Sequence, residues 1–338
     1  MTVLREASII CVGEALIDWV CLDRTLDLSE AQNFVKAPGG AAANVAVGLA
    51  RLGCPVSFLG GFADDLFGRW LHSHLTALGV DLQLSPVFEQ ANTRQAYVLT
   101  DENGDRVLKG FTQTACADTL LRSSALNPDS LSGAAILYWG SVIQSDPDCA
   151  AALLNYVDQA SPFTLKVYDP NYRAVLWPSP QQAKAAMAES FKRAHVVKLS
   201  DDEVRFLKGT GPYEAAAREL MAEYDIPMLV VTLGEAGSWY LTAQASAHVP
   251  PLAVQAVEMT GAGDGFVAGL LRGLYSLMPD AADPVSLFEN LQPDQLKYLL
   301  FEANAVGALA TTKPGAMSSL PTWAELDAFL KASALKPV

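Results

Sequence analysis

Residues 195–203 read HVVKLSDDE, and the chain changes character within them. Residues 195–199 are a short apolar run of the kind that forms a buried strand. From Ser200 the chain turns polar, and Ser200 followed by Glu203 has the spacing of a capping box. A buried strand running into a capped helix is one βα step, and the step recurs on both sides. Apolar runs at 9–12, 56–59, 134–138, 163–168 and 228–232 read as further strands. Helical patterns at 41–52, 66–78, 150–160, 181–193 and 213–224 lie between most of them, and two more cover the run after 266 and residues 295–310. Such alternation predicts an α/β fold with a mostly parallel sheet and helices on both faces. We read residues 1–338 as a single domain of this kind.

Two segments break the rhythm. Residues 14–37 and 93–112 alternate like half-buried strands, and Asn103-Gly104 is a hairpin turn signal. They predict a small β-sheet lying outside the main one. Open α/β sheets bind ligands at the carboxyl ends of their strands, so this appendage is expected to be a lid.

Composition excludes several functions. With 51% hydrophobic and 18% charged residues the chain has ample core, and its net charge of −14 argues against nucleic acid as a partner. Five scattered cysteines without a C-x-x-C pair fit reduced thiols rather than a disulfide framework or a zinc site. No apolar run reaches the length of a membrane span, and the first residues do not read as a signal peptide, so a cytoplasmic protein without a membrane partner is expected.

Five further motifs carry possible chemistry. In PGGAAAN (38–44) Gly39 and Gly40 let the backbone approach a ligand, and Asn44 enters an otherwise apolar helix; a plain helix start with a tolerated Asn is as good a reading. In GEALID (13–18) Asp18 follows a strand pattern, either to accept vicinal hydroxyls or as a solvated edge residue. In DPNYR (169–173) Pro170 forces a turn, and Arg173 offers the forked donors that suit phosphate, or simply sits on the surface. The acid of KLSDDE, Glu203, is either the cap already described or an organiser of magnesium-bound water. TLGEAGS (232–238) follows a strand with small residues that can border a nucleotide, yet the chain has neither a Walker A loop nor G-x-G-x-x-G.

That leaves MTGAGDGF at 259–266. Gly261-Ala262-Gly263 exposes backbone N–H groups at a helix start, which is an anion site. An acid beside an anion site opposes the anion, so Asp264 needs another role.

Taken in order, GGAAANVAVGLARLG (39–53), DPNYR, KLSDDE, TLGEAGS, TGAGDGF (260–266) and ANAVGALATTKPGA (303–316) resemble the ribokinase, or pfkB-type, family of sugar kinases. The likeness runs from about residue 8 to about residue 321 and is strongest to the fructokinase branch, which also accounts for VLWPSP at 175–180. The resemblance implies a ribokinase-like fold whose β lid often joins two subunits, hence a homodimer. It implies Asp264 as the base for a sugar hydroxyl and Gly261, Ala262 and Gly263 as the anion hole for the transferring γ-phosphoryl group, with Arg173 near the phosphates. Asp18, Gly39, Gly40 and Asn44 would hold the sugar. Lys198, Ser200, Thr232, Gly234, Gly237, Asn304 and Gly307 would lie along the ATP site, and Glu203 would govern Mg2+ through water.

Three positions depart from the family pattern. Glu258 and Met259 stand where Asp and Thr are common, and since that Asp belongs to a monovalent-cation site, potassium activation is left open. Ser200 replaces the Asn of N-x-x-E. Thr112 and Gln113 stand where fructokinases and 2-keto-3-deoxygluconate kinases carry an aromatic–Arg pair, with Arg106 on the lid hairpin as a partial substitute. The implied activity is transfer from ATP to a sugar, fructose to fructose 6-phosphate first. Another small sugar, a nucleoside, 2-keto-3-deoxygluconate, or a silent regulatory relative are the alternatives.

Overall fold

The computed structural model describes residues 8–102, 104, 106–112, 115–278 and 283–333. In chain order its strands are β1 (Ser8–Val12), β2 (Leu16–Arg24), β3 (Phe34–Gly39), β4 (Val56–Leu59), β5 (Phe62–Ala63), β6 (Val87–Phe88), β7 (Gln95–Thr100), β8 (Arg106–Phe111), β9 (Ala134–Gly140), β10 (Leu165–Asp169), β11 (Val196–Ser200), β12 (Met228–Thr232), β13 (Ser238–Thr242) and β14 (Ser246–Val249). The helices are α1 (Ala41–Arg51), α2 (Leu66–Ala77), α3 (Pro147–Asp158), α4 (Pro180–Phe191), α5 (Asp201–Lys208), α6 (Tyr213–Tyr224), α7 (Ala262–Leu277), α8 (Pro284–Asn290), α9 (Pro293–Ala310), α10 (Ala316–Ser319) and α11 (Trp323–Ala332).

The main sheet has the order β14-β13-β12-β11-β10-β9-β1-β4. The run from β12 to β4 pairs in parallel throughout, and these are the six strands expected from sequence. The antiparallel edge formed by β13 and β14 was not expected. SWYLT is short and directly follows the glycine-rich TLGEAGS, while SAHV has too little apolar content to mark a strand by itself.

Side chains alternate between the two faces of a strand, and each face feeds its own core. Ile9, Cys11, Ile136, Tyr138, Val167 and Val230 pack with α1, α7 and α9. Their neighbours Ile10, Val12, Leu137, Trp139, Tyr168 and Val231 pack with α3, α4 and α6. Strands with no polar face are therefore continuous apolar runs. A separate four-stranded sheet, β3-β2-β7-β8, is built from the two segments that read as alternating strands. Gly104, at φ 97, stands between β7 and β8, while Asn103 lies outside the described residues. Among the described residues no helix is long and apolar enough to cross a membrane.

Candidate active site

From β1 the chain passes to β4 on one side and later to β9 on the other, so the strand order reverses at β1. Open α/β sheets bind ligands at such a point, beyond the strands' carboxyl ends. A cavity of about 800 Å³ opens there. The small sheet covers it with Leu16, Asp18, Ala96, Val98, Leu108 and Phe111.

Helix α1 forms the first wall. It begins at Gly40 with no side-chain cap, because Gly-Gly-Ala-Ala provides none. Glu14, on the loop after β1, supplies the missing acceptor: its Oε1 accepts from the Ala41 N–H at 2.5 Å. Gly40 sits at φ 103, and a Cβ there would collide with the Glu14 carbonyl. The Asp18 carboxylate lies over Gly39 in the space that a Cβ would fill. Asn44, one turn into α1, is buried and points at α7.

Helix α7 forms the second wall. Gly261, at φ 83, turns the chain into it, and Asp264 stands in its first turn. Asn44 Nδ2 donates to Asp264 Oδ2 at 2.7 Å, joining residues 220 positions apart. The Ala262 N–H turns back onto the Met259 carbonyl at 3.2 Å. The N–H groups of Gly263 and Asp264 have no acceptor among the described residues, as expected for a helix start.

The DPNYR turn closes the third side. Asp169 ends β10 and pairs with Lys198 of β11 at 3.3 Å, and both are buried. Asn171 adopts φ 45, and the Tyr172 N–H donates to Glu203 Oε1 at 2.8 Å. The other Glu203 oxygen accepts from the Ser200 N–H at 2.7 Å while the Ser200 hydroxyl caps the Glu203 N–H, so the capping box is formed. Glu203 thus ties this turn to the start of α5. Arg173 lines the cavity, is exposed, and has no carboxylate partner among the described residues.

Burial and crowding with other acids set the electrostatics. Burial raises the Asp18 carboxyl to about 7, with Asp264 adding to the rise and Arg173 and Arg106 opposing it. Burial likewise raises Glu14 to about 7. Asp264 is raised by burial and held down by its bond from Asn44 and by Arg173 and Lys198. Asp169 is pushed up to about 6 by burial against the pull of Lys198.

A carboxyl raised by folding stabilises the native state below its unfolded value and loses that contribution as pH rises through its folded value. Glu14 and Asp18 should therefore weaken the unliganded protein between about pH 4 and about pH 7. Glu14→Gln keeps an acceptor for the Ala41 N–H and removes the charge. Thermal unfolding across pH 5–8.5 should give this variant the higher Tm above pH 7, with the advantage shrinking on acidification. An equal offset at every pH would refute a titrating Glu14.

Thr232, Gly234, Gly237, Asn304 and Gly307 do not line this cavity. Thr232 ends β12, and Gly234 and Gly237 form the turn to β13. Any Cβ on Gly237 would strike the Val249 carbonyl, and Asn304 Nδ2 donates to the carbonyls of Val249 (3.3 Å) and Pro250 (3.2 Å). Gly307, further along α9, lets that helix lie against the Ala262 carbonyl, 3.0 Å from where a Cβ would sit. These contacts run from the start of α7 to the β12–β13 turn. Gln113 lies outside the described residues. Arg106 and Glu258 both line the cavity and form an ion pair at 3.1 Å.

Two participants were missed in the sequence, Glu14 and Asp169. The signal for Glu14 was the capless start of α1, whose first N–H must find an acceptor. For Asp169 it was Lys198, since a lysine inside an apolar strand needs a buried counter-charge.

The profile of the "pfkB family carbohydrate kinase" matches residues 6–323. Probable fructokinase-2 of Arabidopsis thaliana is 36% identical over 328 residues, covering 97% of this chain and 97% of that protein. Fructokinase-1 of Oryza sativa subsp. japonica is 38% identical, covering 95% and 97%. Among solved structures, fructokinase with bound ATP from Xylella fastidiosa superposes with a TM-score of 0.87 at 30% identity, covering 97% of this chain and 99% of that one. A fructokinase double mutant from Vibrio cholerae O395, bound to fructose, ADP and potassium ion, gives 0.79 at 31%, covering 96% and 98%.

Proposed function

The chain belongs to the pfkB family of carbohydrate kinases and is an ATP-dependent sugar kinase, and from that premise we propose that it phosphorylates fructose to fructose 6-phosphate. The observation that carries the site assignment is the Asn44–Asp264 contact, at a cavity beside the free N–H groups of a helix start. Asp264 is the base: it takes the proton of the attacking hydroxyl. The α7 terminus receives the transferring phosphoryl oxygens, where the partial positive charge of the helix stabilises developing negative charge. Arg173, uncommitted to any carboxylate among the described residues, adds a forked donor.

Sugar recognition falls to Asp18, Gly39, Gly40 and Asn44. Asn44 Oδ1 is buried without a donor among the described residues, so a sugar hydroxyl supplies the missing hydrogen bond. ATP lies along Lys198, Ser200, Thr232, Gly234, Gly237, Asn304 and Gly307, with its γ-phosphate toward Gly263. Magnesium fits as a passenger of the nucleotide. Among the described residues no group of three His, Cys, Asp or Glu side chains is placed to hold a metal, and Mg2+ commonly binds through phosphates, waters and one or two carboxylates. Glu203 is the carboxylate for such a water. Potassium is not part of the proposal, because a cation at Glu258 would have to displace the Arg106 guanidinium.

The whole chain acts as one catalytic unit with its lid. Leu22, Leu26, Leu28 and Val35, all on the β2–β3 hairpin, are exposed, which supports a homodimer through that sheet. Light scattering should return twice the 36.0 kDa chain mass, and Val35→Lys should halve it. A monomeric wild type would remove this part of the proposal.

A coupled ADP-release assay with ATP and magnesium tests the main reading over fructose, glucose, ribose, adenosine and 2-keto-3-deoxygluconate. Fructose should give the highest kcat/KM. A higher value on another sugar would move the substrate and leave the mechanism standing.

A further inference from the structure

The cavity is rich in acid, and most of its cations are already committed. Glu14, Asp18, Asp169, Glu258 and Asp264 line it against Arg106, Arg173 and Lys198. Lys198 belongs to Asp169, at 3.3 Å, and Arg106 to Glu258, at 3.1 Å.

The second pair has an unusual construction. Arg106 opens β8 of the lid, whereas Glu258 belongs to the body, 152 residues further along. Glu258 is held from behind: Oε2 also accepts from the Gly315 N–H at 3.3 Å, and the N–H groups of Val257 and Glu258 both donate to the Thr311 carbonyl. The pair is largely sheltered, with side-chain exposures of 28% for Arg106 and 11% for Glu258. Among the described residues only one arm of the guanidinium finds a partner. Nη2 donates to Glu258, while Nη1 is buried and has no partner among the described residues.

A buried donor without an acceptor is costly, and a ligand that supplies one gains by it. The nature of that acceptor follows from the charge. Because Glu258 already balances the guanidinium, Nη1 is a hydrogen-bond donor without spare positive charge. A carboxylate brought to it would meet Glu258 and the other acids. Among the described lining residues the one uncommitted cation, Arg173, belongs to the DPNYR turn and serves the phosphates, so such like-charge placement is unfavourable. A hydroxyl or carbonyl oxygen carries no such penalty. We infer that the Arg106–Glu258 pair selects an uncharged sugar over a sugar acid, with Arg106 Nη1 donating to a hydroxyl or carbonyl oxygen of the substrate. The inference rests on the sugar-kinase reading above and narrows its substrate class.

Two variants of the full chain test it, each screened first for unchanged ATP affinity and a cooperative melt. Glu258→Gln retains an oxygen for Arg106 but releases the guanidinium charge. It should raise the ratio of kcat/KM for 2-keto-3-deoxygluconate to that for fructose by about tenfold or more. Arg106→Ala removes the donor and should raise the KM for fructose by about ten- to a hundredfold, with kcat and the KM for ATP changed far less. A general structural fault would move all three parameters together. Calorimetric titration of both sugars, with a non-hydrolysable ATP analogue present, separates this inference from the fructokinase reading. If the wild type binds neutral sugars but does not turn over fructose, that reading falls and the charge selection stands. A wild type that prefers the sugar acid overturns the inference. So does an unmoved specificity ratio in Glu258→Gln, or an unmoved fructose KM in Arg106→Ala.

Discussion

Asp264→Asn lowers kcat by about 10²–10⁴, the usual contribution of a positioned general base, and leaves ATP affinity where it was. The substitution isolates chemistry from architecture. Asparagine keeps one oxygen for the bond from Asn44 Nδ2, so the link between α1 and α7 survives. The backbone N–H groups of Gly263 and of position 264 are untouched, so the nucleotide still finds the helix start. Lost are the negative charge and its capacity to take a proton. The same burial that raises the Asp264 carboxyl brings its basicity nearer to working pH, while Asn44, Arg173 and Lys198 keep the ionised form accessible. ADP release from ATP and sugar, read beside calorimetric ATP binding, checks both halves. A variant turning over near the wild-type rate would show that the proton goes elsewhere, and the site assignment would fall with it.

The parts of this fold that could be read from sequence are those governed by local pattern. Runs such as MLVVT and VVKLS are buried on both faces, so their apolar continuity is unbroken and their boundaries move by only a residue or two. The capping box at Ser200 and Glu203 is fully local and formed as expected. The edge strand β14 was invisible because an edge strand needs little apolar signal, and β13, buried between β12 and β14, is a short run that directly follows TLGEAGS. The site divides along the same line. Gly-Ala-Gly-Asp announces an anion site with an acid beside it in six residues, TGAGDG. What Asp264 touches cannot be read there, because its partner, Asn44, comes from the other end of the chain. Glu258 illustrates the limit most clearly. As a letter it is one methylene longer than the usual Asp. Only the fold reveals that a lid arginine meets it.

Gly261→Val should cost about 10²–10³ in kcat, the scale of losing an anion-hole donor, although residue 261 offers no side chain to the substrate. Gly261 sits at φ 83 and ψ −3, a left-handed conformation that β-branched residues almost never adopt. Its missing Cβ would also stand 3.0 Å from Ala316 Cα and 3.1 Å from the Ala316 carbonyl, both backbone atoms that cannot rotate away. The turn must therefore move, and α7 begins at the next residue. A shift there displaces the Gly263 and Asp264 N–H groups and the Asp264 carboxylate together, and misplacement by about 1 Å can cost about 10²-fold in rate. Left-handed strain alone is worth about 1–3 kcal/mol, so the Tm should fall as well. That second effect needs a control, because a destabilised enzyme can look like a slow one. Gly53 has nearly the same conformation, φ 81, with no atom within 4 Å of its would-be Cβ, and it does not line the cavity. Gly53→Val should lower the Tm and keep kcat, assayed well below either melting temperature. If both variants lose rate in proportion to stability, the turn at Gly261 serves the fold only. If Gly261→Val alone loses rate, the left-handed turn is what aims the helix start at the phosphate.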